Sequence, residues 1–357
     1  MSRKQGYGLR TERPQQRRDG KKYEKKSKNW RGEQMSTIKL LIEAVTPISH
    51  ASEVQGNHSM LMTRKQRTSD GIKDIPIVSA DSMRHGLREC GATLCLGLAG
   101  LLDRPEGPQL TEAALRLLYS GGMLTGRGDA SVIKLQRWRE VCETLPIVSL
   151  MGGCVDAMMI PGKLRVSDMV LICNETVQHH GGLLPEGDKV QGYRSHIEQV
   201  QRVRFDVTRD PHKQRLLSDG ARAGVDGRML AKESARDSGE VGEKDRGRPM
   251  PHSYEAVCAG SLWSWQITHD NLTEVERAIL FLTLAHFFKT WRVGGKRGTG
   301  HGELRAIRAE ECSLPSFAEM RTEADVTGLS AGWLATAKAH MQERTEKLTD
   351  LLVKVDA

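Results

Sequence analysis

Aromatic side chains are scarce in this sequence: five Phe, five Tyr and six Trp, 4% of 357 residues. A protein that holds nucleic acid chiefly by stacking bases on ring platforms needs a richer supply, so that mode of binding is not expected. Long apolar runs are missing too. No stretch of 18 or more apolar residues occurs and the N-terminal region is polar throughout, so neither a membrane span nor a signal peptide is expected. The seven cysteines are odd in number and include no Cys-x-x-Cys pair, which disfavours both a disulfide framework and a zinc site. The expectation is a cytoplasmic protein with reduced thiols, no metal, no cofactor and no membrane partner.

Glycine and positive charge are present, and they coincide. Residues 274–308 read E-V-E-R-A-I-L-F-L-T-L-A-H-F-F-K-T-W-R-V-G-G-K-R-G-T-G-H-G-E-L-R-A-I-R. An amphipathic helix runs into five glycines interleaved with Lys296, Arg297 and His301, and then into a short strand. Glycines let a backbone approach another group closely, and basic side chains make that group an anion. A P-loop is excluded because Lys296 is followed by Arg297 and the order is helix, loop, strand. The dinucleotide fingerprint fails as well, because Gly298, Gly300 and Gly302 alternate and lead into a strand. A phosphate-backbone cradle remains, against the plainer alternative of a flexible connector.

The net charge of +8 belongs to one end of the chain. Residues 1–34 hold 12 Lys/Arg and 4 Asp/Glu, leaving 41 of each sign elsewhere. That stretch has almost no aliphatic residues and reads as a basic disordered tail, or as an extension upstream of a start at Met35. Residues 36–48 read as a central strand and 49–74 as a long polar loop carrying His50, Asn57, His58, Arg64 and Lys65. A helix capped by Asp81 or Ser82 is expected to run to about Leu102, with Arg84 and Arg88 on one face beside an anion at its N-terminus.

Residues 103–145 read as a helical insertion, and 154–173 as a hairpin turning at Pro161-Gly162. Residues 174–253, rich in Gly, Asp, Arg and Lys, read as a protruding thumb or flap in which only 197–207 alternates like a strand. Residues 254–268 form the next strand, with Trp263 and Trp265 on a core face. After the opening helix and a strand over 302–309, residues 313–357 form a C-terminal extension with a helix over 329–355. The order strand, helix, hairpin, strand, helix, strand predicts an α+β chain with a ferredoxin-like sheet over 35–312.

Three stretches in one order resemble the RAMP superfamily of CRISPR proteins, and within it the backbone subunits of class 1 effector complexes. They are I-P-I-V-S-A-D-S-M-R-H-G-L-R from Ile75, G-K-L-R-V-S-D from Gly162 and G-G-K-R-G-T-G-H-G-E-L from Gly294. Q-R-V-R-F-D-V-T-R-D-P-H-K from Gln201 resembles the strand of that family's thumb. The resemblance implies a modified RNA-recognition fold that binds guide RNA (crRNA) by its sugar-phosphate backbone. By motif, the RNA-binding positions would be Arg84, Arg88, Lys296, Arg297, Gly298, His301, Arg202 and Arg204, with Asn57, Arg64 and Lys65 from the polar loop. A holder of any guide sequence should grip phosphate and 2′-hydroxyl rather than base edges, which agrees. The partners implied are copies of itself, other effector subunits including large or cap subunits and a repeat-processing endonuclease, a DinG-like helicase, and a target nucleic acid, expected to be DNA.

The sequence departs from the family pattern at two places. Ala80 replaces a glycine, and 54–69 contains no Asp or Glu, whereas RNA-cleaving type III relatives carry an aspartate there. A general base or metal ligand is needed for that chemistry, so no catalytic residue and no target cleavage are expected. With the helical insertion, this resembles type IV backbone subunits more than type III. The alternatives are a type III-like subunit, a repeat-processing endoribonuclease using His50 or His58, and an RNA-binding scaffold outside CRISPR.

Overall fold

Strand β1 (Met35–Ala44) carries Ile38, Leu40, Ile42 and Ala44 at alternate positions, and all four are buried on one face. Period-2 burial of this kind is what sets the register of a half-covered sheet. The computed structural model describes residues 35–68, 70–124, 135–155, 158–185, 187, 189–204, 211–224, 250–311 and 323–353. The expected tail over 1–34 and most of the thumb between 205 and 249 lie outside them.

Along the chain, β1 is followed by β2 (Ala51–Gln55), β3 (His58–Leu61), β4 (Thr63–Thr68) and β5 (Gly71–Val78), then helix α1 (Ala80–Leu98). The expected helical insertion over 103–145 holds α2 (Glu112–Ser120), β6 (Met123–Leu124) and α3 (Leu135–Thr144), and α4 (Pro146–Met151) follows it. Short strands β7 (Gly153–Val155), β8 (Met158–Ile160), β9 (Leu164–Val166) and β10 (Met169–Leu171) come next. The thumb strands β11 (Ile197–Arg204) and β12 (Met250–Val257) precede β13 (Leu262–Asp270), helix α5 (Glu274–Thr290) and β14 (Leu304–Glu311). Helices α6 (Glu323–Glu343) and α7 (Thr345–Leu352) close the chain.

The main sheet has the order β14-β1-β13-β10-β5-β4, with β9 also on β13. Its first four positions are the antiparallel order of a ferredoxin-like sheet, with β1 between β13 and β14 and β10 on the far side of β13. The expected α+β class is therefore found. Helix α1 packs closely on α5 and α4: a side chain at Gly86 would collide with Phe287 and Trp291 at the end of α5, and one at Gly91 with Ile147 of α4. Glycine inside a helix costs stability, and this close approach is what it serves. Trp263 and Trp265 are fully buried, as their strand face predicts.

Several expectations are corrected. Residues 49–74 are two hairpins rather than a loop: β2 pairs with β3 around Gly56 at φ 60°, and β4 pairs with β5. Every residue of β2 is exposed, so no burial pattern marks it as a strand. The α1 cap is Ser79, whose side chain accepts from the Ser82 amide, and the helix ends at Leu98. Pro161-Gly162 is not a hairpin turn. The hairpin is β7–β8, and Gly162 instead lies against the backbone of 150–152, where any side chain would collide. The single strand expected over 254–268 breaks at Gly260 (φ 78°) into β12, in the second sheet β11-β12-β3-β2, and β13. The C-terminal helix is two, α6 and α7.

A buried carboxylate ties α4 and the segment before β9 to α5. Glu276, 6% exposed, accepts from Lys163 Nζ at 2.7 Å on both oxygens, from Ser149 Oγ, and from the Thr273 amide in a capping box. Burial acts to raise its pKa, but these bonds, Lys163 first, outweigh that and hold it below its ordinary value. The stabilisation is therefore present above the ordinary carboxylate range and lost as pH falls through the lowered folded value. Glu276→Ala should cost about 3 kcal/mol at neutral pH, because it strands a half-buried ammonium. Urea titrations should show this difference shrinking in acid; a pH-independent difference would exclude the ionised pair as its source.

Candidate nucleic-acid interface

The glycine-rich stretch is built as an arch pinned at both feet. Helix α5 stops at Trp291, and Val293 N–H donates to Gly302 O at 2.9 Å. The Gly295 amide donates to Ser49 O at 2.6 Å and the Gly302 amide to Pro47 O at 3.0 Å. Gly294 (φ 74°) and Gly302 (φ 87°) sit against Ser49 O and Val293 O, where a Cβ would collide. These two glycines allow the close approach, and the others leave the crown of the arch bare. The crown is exposed from Gly295 to Gly300. Lys296 lies in the left-handed region at φ 60°, a conformation that costs a non-glycine residue and concentrates at functional sites. Among the described residues, nothing accepts from the amides of Lys296, Arg297 and Gly298, so the crown offers N–H groups as well as cations.

The thumb sheet meets this arch at one ring. Tyr254 on β12 is 2% exposed, and its hydroxyl lies 3.1 Å from His301 Nε2. Lys296 Nζ lies 5.1 Å from the Tyr254 ring centroid, and the Arg202 guanidinium of β11 lies 5.5 Å from it. Two cations drawn to one ring gain from its quadrupole but repel each other, and an anion between them relieves that repulsion. The next residue turns the other way. Arg297 lies over the Trp291 ring at 4.1 Å, with its Nε–H donating to Gly294 O at 3.3 Å.

Of the expected site residues, the structure thus groups Lys296, His301 and Arg202 around Tyr254, with Gly298 open and Arg297 adjacent. The side chain of Arg204 lies outside the described residues. Arg84 and Arg88, expected to bind RNA alongside them, are instead turned to protein carbonyls. Arg88 is 8% exposed and donates to the carbonyls of Met151, Gly152 and Leu117 at 2.8, 3.0 and 3.4 Å. Arg84 donates to Leu164 O at 3.0 Å and to Met151 O. Burial, and next the neighbouring Arg84 charge, lower the Arg88 pKa to about 10. Both guanidiniums satisfy carbonyls at the tight corner where α4 turns into β7, a need that helix spacing does not reveal.

The expected phosphate at the α1 N-terminus is likewise replaced by a protein carboxylate. Asp168 accepts from the Ala80 amide at 2.7 Å and from Arg64 Nε at 3.0 Å. Lys65 is exposed on β4, and exposed Asn57 lends its carbonyl to the Ser253 amide. His50 Nε2 lies 3.2 Å from both the amide and the hydroxyl of Ser79, and burial lowers its pKa. His58 Nδ1 meets Ser253 Oγ at 2.7 Å. Tyr254, Trp291 and Asp168 are the contributors that sequence reasoning missed. Trp291, one turn of chain before a cationic glycine loop, was the one visible hint.

Among the described residues no cluster of three or more His, Cys, Asp or Glu is disposed to hold a metal ion, and no helix is long and apolar enough to cross a membrane. No protein-family model and no curated protein matches the chain. Among solved structures it is similar to a chain of a type IV-B CRISPR complex, with 18% identity, 79% of this chain and 92% of that chain covered, and a TM-score of 0.47. A likeness of that degree assigns no function by itself.

The placement of the arginines is open to test. Arg88→Ala should lose about 3 kcal/mol of stability by removing three buried guanidinium hydrogen bonds, the one to Gly152 O with no second donor among the described residues to replace it, whereas Arg202→Ala on the exposed strand should stay within about 0.5 kcal/mol of wild type. Denaturant unfolding reads both. An Arg88→Ala protein as stable as wild type would mean that the clamp is dispensable.

Proposed function

We propose that this chain is a non-catalytic backbone subunit of a type IV-like CRISPR ribonucleoprotein effector complex, holding guide RNA by its sugar-phosphate backbone. The observation that carries the reading is the meeting of Arg202 from the thumb strand with Lys296 and His301 from the glycine-rich arch at Tyr254. Two cations, bare amides and an exposed crown suit a phosphate chain and offer no pattern of donors and acceptors for a base edge. The motifs around Ile75, Gly162 and Gly294 supply the CRISPR context. In that context copies of the subunit line up along the guide, and bases left free between thumbs read the target by pairing. The other effector subunits, the helicase and a DNA target belong to the same proposal.

The absence of Asp and Glu from 54–69 supports a role without cleavage. Nearby Asp168 and Glu255 are engaged, the latter accepting from the Leu61 amide at 3.0 Å. Hydrolysis would need a free carboxylate or an imidazole with an open nitrogen lone pair.

Arg202→Ala with Lys296→Ala should weaken binding equally for RNAs of unrelated sequence and reduce the log-log salt slope by about 0.7 for each phosphate contact removed. Filter binding across a salt series measures this, and a loss confined to one sequence would contradict backbone holding. Incubation of the wild-type protein with its repeat and target RNAs, with and without divalent metal, should leave both intact.

A further inference from the structure

Lys296 and Arg297 are neighbours in sequence, yet they lie on different rings. Lys296 leans over Tyr254 on the thumb sheet, and Arg297 lies at 4.1 Å on Trp291 at the end of α5. The second contact is the outer end of a column. Trp265 and Phe287 are 5.7 Å apart with planes inclined by 32°, and Phe287 and Trp291 are 6.5 Å apart at 24°. Trp291 is 9% exposed, whereas Arg297 is exposed. A series of flat groups thus rises from the core and ends in a planar cation at the surface. The Nε–H bond to Gly294 O restrains the guanidinium plane, and His85 stands edge-on beside Trp291 at 5.8 Å and 72°, paired with Glu89 at 3.4 Å.

A guanidinium whose central carbon lies 4.1 Å over a ring has one side against that ring and keeps another, weakly hydrated side toward solvent, where a second flat π-system can stack; nucleobases splayed from single-stranded RNA are such systems. We propose that the outward face of Arg297, backed by Trp291, is a stacking site for one nucleobase of a single-stranded RNA whose phosphates lie at Lys296 and Arg202. The inference rests on the guide-holding reading and adds a contact to it: one base per subunit is held by its face, without regard to its identity. Every base has such a face, so a guide of any sequence is accommodated. The scarcity of aromatic residues is no obstacle, because a single arginine-capped column does the stacking.

The test compares Arg297→Lys, which keeps the charge and loses the plane, with wild type and with the Arg202→Ala, Lys296→Ala double variant. Each full-length protein is titrated by fluorescence anisotropy with an oligoribonucleotide and with an abasic oligoribonucleotide of the same length, which keeps the phosphates and lacks the bases. Wild type should prefer the ordinary RNA by about tenfold or more. Arg297→Lys should lose most of that preference while binding the abasic chain as wild type does. The double variant should weaken for both RNAs and keep the preference. An unchanged preference in Arg297→Lys, or an equal loss on both RNAs, overturns the stacking site and leaves backbone holding intact. Failure of wild type to bind either RNA overturns backbone holding, and this inference with it.

Discussion

The short segment 45–50 is the junction on which the rest of the architecture depends. Val45 N–H donates to Glu303 O, Ile48 exchanges both backbone bonds with Val257, and the carbonyls of Pro47 and Ser49 accept from Gly302 and Gly295. His50 then reaches Ser79 at the start of α1. Five backbone bonds and one imidazole thus join the main sheet, the thumb sheet, the glycine arch and the first helix. An inserted side chain at Gly294 or Gly302 would push the arch off this junction, which is why glycine stands at those two positions. The cations on the crown are useful only because the feet are immovable. A site held by its backbone can present long basic side chains without first ordering a loop around them.

Positive charge is used in two physically different ways. Arg84 and Arg88 are turned inward, where guanidinium donors satisfy carbonyls of 151–152 and 164 that would otherwise be buried unpaired. Arginine suits this because its donors form a fixed fork and its charge survives partial burial. Arg202, Lys296 and Arg297 are turned outward and rest on Tyr254 and Trp291. Among the described residues they are held over rings rather than in salt bridges, so no described carboxylate compensates their charge. Where carboxylates do stand near the interface, as Asp168 and Glu255 do, helix or strand amides occupy them.

Elements with a buried face were readable in advance. β1 and β13, with its two tryptophans, carry an alternating apolar pattern because each leans on the core, and α5 shows as a long apolar helix, although it is buried on every side from Ala278 to Leu284 rather than amphipathic as expected. Strands β2 and β4 were not, because strands exposed on both faces show no alternation. Pro161-Gly162 misled for another reason. The pair looks like a turn, yet Gly162 is there to let two backbone segments touch, and local pattern cannot separate the two uses. The glycine-rich arch was legible as an exposed, cationic backbone loop from its composition, and Lys296, Arg297 and His301 with it. Tyr254 was not, since a tyrosine opening a strand looks the same whether or not cations gather on it.

By itself, the sequence determined the α+β class of fold, the places of β1, α1, α5 and β14, and the glycine-rich, cationic composition of the arch, because period and composition are local properties. Tertiary structure alone decided which basic residues face outward. Arg88 and Arg202 are the same residue type in equally plausible motifs, and only the carbonyls around the first and the ring beneath the second distinguish a buried clamp from an exposed cation. Hydrogen-bond demand of that kind arises between segments far apart in the chain, after the backbone has been brought together.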